Sequence, residues 1–193
     1  PQNCIDPISI GAHIIIALQE IIAREFDPHD ACVITVGTFH AGTAMNIIPE
    51  EAELTGTLRA DTKEAQQKLM KRVKEVAEAT AKVYGADTEV EIDAGGPPLI
   101  CDPSTTKEFV GYMRELKLPG TMEYPNISAS ASEDFAFVAE QVPSTFMYLS
   151  SGYMDERGAY SAHNPKVQFN EEVLPRGAAY LAHCAQRWLE EHA

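Results

Sequence analysis

Two short segments that alternate apolar and polar residues, lying between two longer segments of helical period, constrain the fold of this chain most strongly. Residues 31–39 (ACVITVGTF) and 51–59 (EAELTGTLR) follow the two-residue period of strands that bury one face. The connection between them contains Gly42 and Pro49, which are typical of a turn. The two segments are therefore predicted to form an antiparallel pair.

A helix is predicted on each side of this pair. The first begins at Asp6-Pro7, because aspartate is a good N-cap and proline suits the first helical position. Its apolar residues occupy more than one face of the helix. Either contact with a partner subunit or burial in a deeper core would explain this pattern. The second helix is capped by Asp61 or Thr62 and ends at Gly85.

Residues 88–92 resemble a further strand, so the order is helix, strand, strand, helix, strand. This is the order of a ferredoxin-like βαββαβ unit that lacks its first strand. The missing strand would precede Pro1. Because the chain also begins with proline rather than methionine, it is expected to be a piece of a longer protein.

A glycine and proline cluster, Gly95-Gly96-Pro97-Pro98, predicts a domain boundary that separates residues 1–94 from residues 95–193. Beyond it, residues 104–116 and 132–141 are predicted to be helical, and residues 145–150 are predicted to form a strand. A long C-terminal helix is predicted from Asn170. Its in-line apolar positions are Leu174, Ala178, Leu181, Ala185 and Trp188.

The net charge of the chain is −14, from 15 Lys and Arg against 29 Asp and Glu. Such a chain repels phosphate backbones and acidic membrane surfaces, so neither nucleic acid nor a membrane is an expected partner. The longest apolar run, at residues 14–18, is too short to span a bilayer. The four cysteines are widely spaced and form no CxxC motif, which favours a reducing compartment, with the cytoplasm as the default.

Several polar residues in loops and on one strand are candidates for function, and each also has a structural explanation. Asn46 lies in the turn between the predicted strands, where asparagine tolerates unusual backbone conformations. Arg59 follows on the second strand, where it could pair with a surface acid or hold a substrate carboxylate through its planar guanidinium. His40, close to Asn46, remains an open candidate.

Two further candidates lie in the second half of the chain. Ser132, Glu133 and Asp134 open a predicted helix, where an N-cap and acids in the first turn would account for all three. His163 lies in a polar loop, where it could be an ordinary surface residue or a metal ligand. No HExxH, GxSxG, Walker-type or GxGxxG pattern is present, so the zincin, serine hydrolase and nucleotide-binding classes lack support.

The order of the segments along the chain is more specific than any one of them. It reads PQxxxDPI, VGTFHAGTAMNIIPEEAELTGTLR, GGPPLICDP, SEDFAFVAEQVP, TFMYLSSG and AYSAHNPKVQFNEEVLPRGAAYLA. This series resembles the metal-dependent amidohydrolases of the aminoacylase, hippurate hydrolase and auxin-conjugate hydrolase type, and the chain is similar to their C-terminal half.

The resemblance implies a two-domain enzyme in which a ferredoxin-like α+β lid, also used for dimerisation, is inserted into a catalytic α/β domain. That catalytic domain, of two or three layers, holds two divalent metal ions, Zn or Mn. Residues 1–94 correspond to the lid and residues 95–193 to the returning part of the catalytic domain. A homodimer through the lid and a small-molecule substrate are the partners that the resemblance implies.

The resemblance also assigns roles to the candidate residues. His163 matches the last metal ligand of the family, and Asn46 and Arg59 match lid residues that hold the carboxylate or carbonyl oxygen of the substrate. Ser132 and Glu133 match a SEDF motif near the active site. The remaining ligands and the catalytic glutamate belong to the N-terminal half, so this chain alone is expected to be inactive and to bind metal weakly.

The implied reaction is hydrolysis of the amide bond of N-acyl amino acids or related amides by a metal-activated water. A dipeptidase or an N-acetyl-diaminopimelate deacetylase of the same superfamily would share this chemistry and is the alternative within the class. A non-catalytic amino-acid-binding or oligomerisation module is the alternative of another class.

Overall fold

The computed structural model describes residues 1–124, 127, 129 and 131–193, which form two compact units. Unit 1 contains Pro1–Leu99 and the described residues between 129 and 137. Unit 2 contains the described residues between 100 and 127 and the segment from Val138 to Ala193. The domain boundary predicted between residues 94 and 95 stays a prediction.

The first helix of unit 1, α1, spans Pro7–Glu20 and continues as a π-helical turn, Ile21–Glu25. The carboxylate of Asp6 accepts hydrogen bonds from the N–H groups of Ile8 and Ser9, at 3.0 and 3.4 Å, so the predicted N-cap is confirmed. By length and composition alone, the 19 residues Pro7–Glu25 could cross a membrane. The core helix of a globular protein passes the same test, and one face of α1 is buried in the core of this unit.

The predicted antiparallel pair is confirmed. Strand β1 spans Cys32–Ala41 and β2 spans Ala52–Ala60, in a register that runs from Cys32 opposite Ala60 to Ala41 opposite Ala52. Strand β1 is rich in β-branched residues, which favour a pleated, half-buried surface. A glycine is required at position 56, because a β-carbon there would lie 2.3 Å from the carbonyl oxygen of Thr35.

The register of β1 shifts between Val36 and Thr38, where Gly37 is the extra residue of a β-bulge. Before the bulge, Val36 packs on the helices, and after it Phe39 takes the same side. The Phe39 ring lies so close to α1 that a β-carbon at Gly11 would be 2.7 Å from its Cζ atom. The bulge therefore keeps two successive apolar side chains of β1 on the core face.

Helix α2 spans Lys63–Val83 and is capped by Thr62, whose hydroxyl accepts from the N–H of Ala65 at 3.1 Å. The helix ends before Gly85, which adopts a left-handed φ of 80°. Together α1, α2 and the sheet enclose the apolar core of unit 1. Its buried residues are Ile10, Ile14, Leu18, Ile21, Leu69, Ala77 and Ala81.

The strand predicted at residues 88–92 is absent, because the sheet that the described residues form has two strands only. Val90 still packs against the core of unit 1. A strand also needs a neighbouring backbone for its ladder of hydrogen bonds, and this segment has none in the sheet. The unit is thus an α+β arrangement of two helices on two strands, and the full ferredoxin-like topology is not observed.

Unit 2 is built on two long helices. Helix α3 spans Pro103–Glu115, with Asp102 accepting from the N–H of Thr105 at 2.8 Å as its N-cap. Helix α5 spans Leu174–His192, after a 3-10 turn at Glu171–Val173. The C-terminal helix predicted from Asn170 therefore begins four residues later, since Asn170 caps the 3-10 turn.

The strand predicted at residues 145–150 is also absent. The neighbouring carbonyl of Ser144 accepts from the N–H of Asp102 at 2.8 Å, and the N–H of Phe146 donates to the sulfur of Cys101 at 3.2 Å. These two contacts attach the segment to the start of α3 without a ladder. Apolar alternation here predicted an extended chain but could not supply a second strand.

Candidate functional site

The loop that joins β1 to β2 carries Asn46. Gly42 starts the loop with a left-handed φ of 67°, and the N–H of Ile47 then donates to the carbonyl of Ala44 at 3.4 Å. The Asn46 side chain is exposed, and in the described part of the chain its amide has no hydrogen-bond partner. Asn46 is therefore free to bind a ligand, as its predicted role requires.

A shallow groove borders the same loop. Glu50 and Glu51, which directly follow Pro49 in the sequence, contribute to it and were not among the predicted site residues. Their position next to the Asn46 turn was the sequence feature that could have indicated them. The groove is lined by Gly42, Thr43, Ile47, Pro49, Glu50 and Glu51.

Arg59 is half-buried near the end of β2, opposite Val33 of β1. Its guanidinium donates one hydrogen bond, to the carbonyl of Leu58 at 3.3 Å. Among the described residues, no carboxylate lies within 4.0 Å of this guanidinium. The ion pair with a surface acid that the sequence left open for Arg59 is thus not observed among these residues. Most of the N–H donors of its guanidinium remain available for a ligand.

Asn46 and Arg59 do not contact each other. The loop with Asn46 ends at Ala52, and Arg59 follows seven residues later, which is roughly 23 Å along a strand. The two residues thus lie on opposite ends of the hairpin, on a loop and on a strand respectively. Within one chain they do not form a clamp on a single carboxylate.

The SEDF segment contains a capping interaction. Helix α4 spans Phe135–Ala139, which is shorter than the helix predicted for residues 132–141. Glu133 accepts through Oε1 from the N–H of Phe135 at 3.2 Å, so glutamate rather than Ser132 contacts the free N–H groups. Ser132 is exposed. The contact gives Glu133 a structural role, and substrate binding by either residue stays a prediction.

His163 is exposed on a turn of unit 2 and has a φ of 71°. Non-glycine residues rarely adopt this left-handed conformation, which costs roughly 1–2 kcal/mol. Hydrogen bonds on both sides hold the turn: the N–H of Asn164 donates to the carbonyl of Ser161 at 3.2 Å, and the N–H of Val167 to that of Asn164 at 3.0 Å. The turn thus fixes the direction in which the imidazole leaves the backbone.

The segment before His163 is held by a compact polar contact. The Arg157 guanidinium bonds to the carboxylate of Asp155, lowering the pKa of Asp155 to about 2, and lies 3.7 Å from the centre of the Tyr153 ring. Further on, the N–H of Asn170 donates to the carbonyl of Ser151 at 2.7 Å. These contacts shape the two ends of the loop that presents His163.

A metal centre cannot be assembled from this chain as described. Over residues 1–124, 127, 129 and 131–193, no three histidine, cysteine, aspartate or glutamate side chains converge as metal ligands would. His163 offers a chemically suitable imidazole, but a zinc site needs three or four such ligands. The described residues thus supply one donor of a site and not the site itself.

Two of the four cysteines, Cys32 and Cys184, are buried and are poor candidates for a nucleophile. Burial raises the pKa of the Cys32 and Cys184 thiols, which reduces the thiolate that nucleophilic attack requires. This leaves the free donors of Asn46 and Arg59 and the exposed imidazole of His163 as the groups best suited to bind a ligand.

Residues 1–85 match the family described as peptidase dimerisation domain, M20 type. Over its full length, the chain is 37% identical to IAA-amino acid hydrolase ILR1-like 2 of Arabidopsis thaliana, of which it covers 44%. It is 34% identical to N-acetyldiaminopimelate deacetylase of Enterococcus faecalis, where the match covers 90% of this chain and 44% of the relative. The chain thus spans less than half of the length of these relatives.

Two solved structures are similar in fold. A protein of methicillin-resistant Staphylococcus aureus described as an aminohydrolase matches 95% of this chain and 46% of its own, with a TM-score of 0.80 and 27% identity. A Bacillus subtilis dinuclear metal binding peptidase of the M20 family matches 98% of this chain and 47% of its own, with a TM-score of 0.77 and 29% identity. Residues 1–85 therefore match a peptidase dimerisation domain, and nearly the whole chain is similar in fold to a peptidase of the M20 family.

Proposed function

We propose that the protein hydrolyses the amide bond of N-acyl amino acids or related amides. The observation that carries this proposal is the extent of the similarity to IAA-amino acid hydrolase, which includes 100% of this chain. It is not confined to the dimerisation domain, and it includes the turn that presents His163. A non-catalytic oligomerisation module would not need that second region.

Divalent metal ions, Zn or Mn, are part of the proposal, and a similar M20 structure is described as dinuclear. Such ions lower the pKa of a bound water and polarise the amide carbonyl. Within this chain, the exposed imidazole of His163 would hold one ion. The remaining ligands and the general base would come from the part of the relatives' length that this chain does not span.

Arg59 is proposed to bind the carboxylate of the substrate. A guanidinium can donate two parallel hydrogen bonds to a carboxylate, and the described residues leave these donors free. The contact would fix the amino-acid end of the substrate and thereby orient its amide bond. Asn46, on the far end of the hairpin, would bind a different polar group.

Other activities remain alternatives within the same chemistry. The deacetylase at 34% identity supports removal of an acetyl group from N-acetyldiaminopimelate as the second candidate, and a dipeptidase is a further one. All three substrates place a carboxylate next to the amide bond, so each would use Arg59. Turnover of a panel of acyl amino acids, acetyldiaminopimelate and dipeptides by the full-length protein would separate them.

A homodimer through residues 1–85 is part of the proposal, because this region matches a dimerisation domain. A small amide is the proposed ligand, and the cytoplasm is the proposed location. The anionic net charge of the chain is consistent with the absence of nucleic acid among its partners.

The carboxylate contact is tested with Arg59→Lys in the full-length protein. Lysine keeps the charge but loses the planar fork, so kcat/KM for an N-acyl amino acid should fall by about 1.5–3 kcal/mol. The matched control is Arg24→Lys, since Arg24 is exposed on the π-helical turn that follows α1 and pairs only loosely with Glu20, at 3.9 Å. The corresponding N-acyl amine lacks the carboxylate and should be hydrolysed equally by both variants. An equal loss on both substrates would refute the carboxylate contact.

The metal ligand is tested with His163→Asn, because asparagine tolerates the left-handed backbone that alanine would strain. The variant should lose one metal equivalent and most activity while its circular dichroism is unchanged. The exposed loop residue His29 provides the control, as His29→Asn. Unchanged metal content in the His163 variant would show that His163 is an ordinary surface residue and not a metal ligand.

A further inference from the structure

The hairpin of β1 and β2 has a second face, here called the outer face, which points away from the core of unit 1. The paired residues Ile34 and Leu58 pack against the core, and so do Val36 and Leu54. Residues that alternate with these therefore lie on the other side of the sheet. The outer face consists of four cross-strand pairs: Val33 with Arg59, Thr35 with Thr57, Thr38 with Thr55, and His40 with Glu53.

Val33 is the apolar side chain of this otherwise polar face. It is 41% exposed, and it lies directly opposite Arg59. Opposite residues of an antiparallel pair have their β-carbons about 4.5–5.5 Å apart, so the two side chains leave the sheet next to each other. The next pair, Thr35 and Thr57, is exposed and neutral. A small apolar surface and a guanidinium with free donors thus lie side by side.

This neighbourhood matches the geometry of an amino acid. The carboxylate and the side chain of an amino acid are attached to the same carbon, so a carboxylate bound by Arg59 would bring the side chain close to the neighbours of Arg59. The acids at this end of the hairpin are Asp30, which precedes β1, and Asp61, which follows β2. They would repel a second carboxylate on the same substrate.

We propose that Val33 contacts the side chain of the substrate's amino acid and determines a preference for apolar side chains. The inference rests on the proposed function, in which Arg59 binds the substrate carboxylate, and it names the class of amino acid that follows the amide bond. Burial of methyl groups against Val33 is favourable, whereas a polar side chain would lose water there without gaining a hydrogen bond.

Three substrates with the same acyl group test this preference in the full-length protein. Leucine, asparagine and aspartate all branch at the γ-atom, so their N-acyl derivatives differ in polarity and charge more than in shape. The kcat/KM should decrease in that order, with leucine about tenfold above asparagine, at the lower limit for an apolar contact in a pocket. Arg59→Lys should slow the leucine and asparagine substrates alike, because both carry the carboxylate that Arg59 binds.

Two variants of Val33 change the preference in opposite ways. Val33→Thr keeps the shape and the strand propensity of valine, and it should lower the leucine-to-asparagine ratio by about threefold to tenfold. Val33→Lys should raise the aspartate-to-leucine ratio by about twofold to fivefold, the scale of an exposed ion pair. The matched control is Val83→Thr at the exposed end of α2, which should leave both ratios unchanged. Melting temperatures verify that all three variants are folded.

The results distinguish this inference from the proposed function. If the unmodified protein hydrolyses the leucine and asparagine substrates equally well, or if Val33→Thr keeps the original ratio, Val33 does not determine specificity. The same conclusion holds if Val83→Thr changes the ratio as much as Val33→Thr does. In each of these cases the amide hydrolysis itself stands. A protein that hydrolyses no N-acyl amino acid would overturn the proposed function, and the role of Val33 with it.

Discussion

The two units of the chain are stabilised in different ways. Unit 1 buries a continuous apolar core, in which Ile21 and Leu69 are almost completely enclosed. Among the described residues of unit 2, only Tyr112, Ser144 and Cys184 are buried. There the contact between α3 and α5 is largely polar: the Tyr112 hydroxyl lies 2.5 Å from Glu108 and 2.8 Å from Glu191, and Arg187 bonds to Glu115 at 3.0 Å.

The apolar stripes of α5 and α1 also differ between the two units. All five predicted in-line positions are exposed, with Leu174 at 63% and Leu181 at 77%. In unit 1 the stripe of α1 is buried against α2 and the sheet. Equal sequence patterns thus have unequal energetic consequences, because a stripe stabilises the chain only where another surface covers it. The predictions below compare matched positions in the two units.

The largest difference is expected for leucines. Leu69→Ala empties a site in the core of unit 1 that is 1% exposed, so it should lower the free energy of unfolding by about 2–5 kcal/mol. Leu181→Ala, on the exposed face of α5, should change it by less than about 0.5 kcal/mol. Urea unfolding followed by circular dichroism measures both. A comparable loss for the two variants would show that α5 is covered in solution.

Glycines should show the next largest effect. Gly56→Ala places a methyl group against the Thr35 carbonyl in the sheet, which is rigid backbone, and overpacking of this kind typically costs about 1–3 kcal/mol. The expected result is a lower melting temperature and a weaker strand signal. A variant as stable as the unmodified protein would mean that the two strands are farther apart than described.

A smaller effect of opposite sign is expected in unit 2. Gly111 lies inside α3, and nothing is within 4 Å of the position that a β-carbon would take. Gly111→Ala should therefore stabilise the protein by about 0.5–1 kcal/mol, because alanine restricts the unfolded chain and favours the helix. The melting temperature checks this. Destabilisation would indicate that a surface outside the described contacts packs against this face of α3.

The smallest expected effect is on the stability of the protein at acidic pH. Hydrogen bonds from Arg72 at 2.6 and 2.8 Å lower the pKa of Glu25 below its ordinary value of 4.5. A carboxyl with a lowered pKa stabilises the fold above 4.5 and loses this contribution as the pH falls below it. The stability difference between the unmodified protein and Glu25→Gln should therefore shrink in acid.

The matched ion pair in unit 2 joins Arg114 to Glu123, whose pKa is lowered by the same kind of hydrogen bond. Its side chains are more exposed than those of the Arg72 and Glu25 pair, at 64% and 47% against 33% and 29%. Solvent screens an exposed pair more strongly, so Glu123→Gln should change the acid profile less than Glu25→Gln does. A larger change for Glu123 would reverse the ranking of the two units.

Most helices and the strand pair of unit 1 could be predicted because their signals are local. Asp6, Thr62 and Asp102 cap helices through hydrogen bonds that each cap residue makes within three positions of itself. The predictions of strands at residues 88–92 and 145–150 were wrong because strand pairing is not a local property. Alternation predicts which side of an extended segment is buried, and Val90 is indeed packed, but a ladder depends on a partner remote in sequence.

The candidate site shows the same limit. Sequence order was enough to predict the resemblance to metal-dependent amidohydrolases, which the comparisons confirmed. It could not place Asn46 and Arg59 at opposite ends of one hairpin, because that follows from the register of β1 and β2. Nor could it reveal the left-handed backbone of His163, which depends on the turn formed with Ser161 and Asn164. The roles of these residues remain predictions for the experiments above.

The bulge at Gly37 determines where the chain tolerates a change of length. If the bulge is kept, loss of one residue at a regular position of β1 before Phe39 would turn the residues beyond it to the opposite face and move the Phe39 ring away from Gly11. Loss of Gly37 would not, because this residue is the extra one and its removal leaves Val36 and Phe39 on the same side. A deletion at position 37 thus converts the bulged strand into a regular one, so homologous chains can differ by one residue here and still align on both sides.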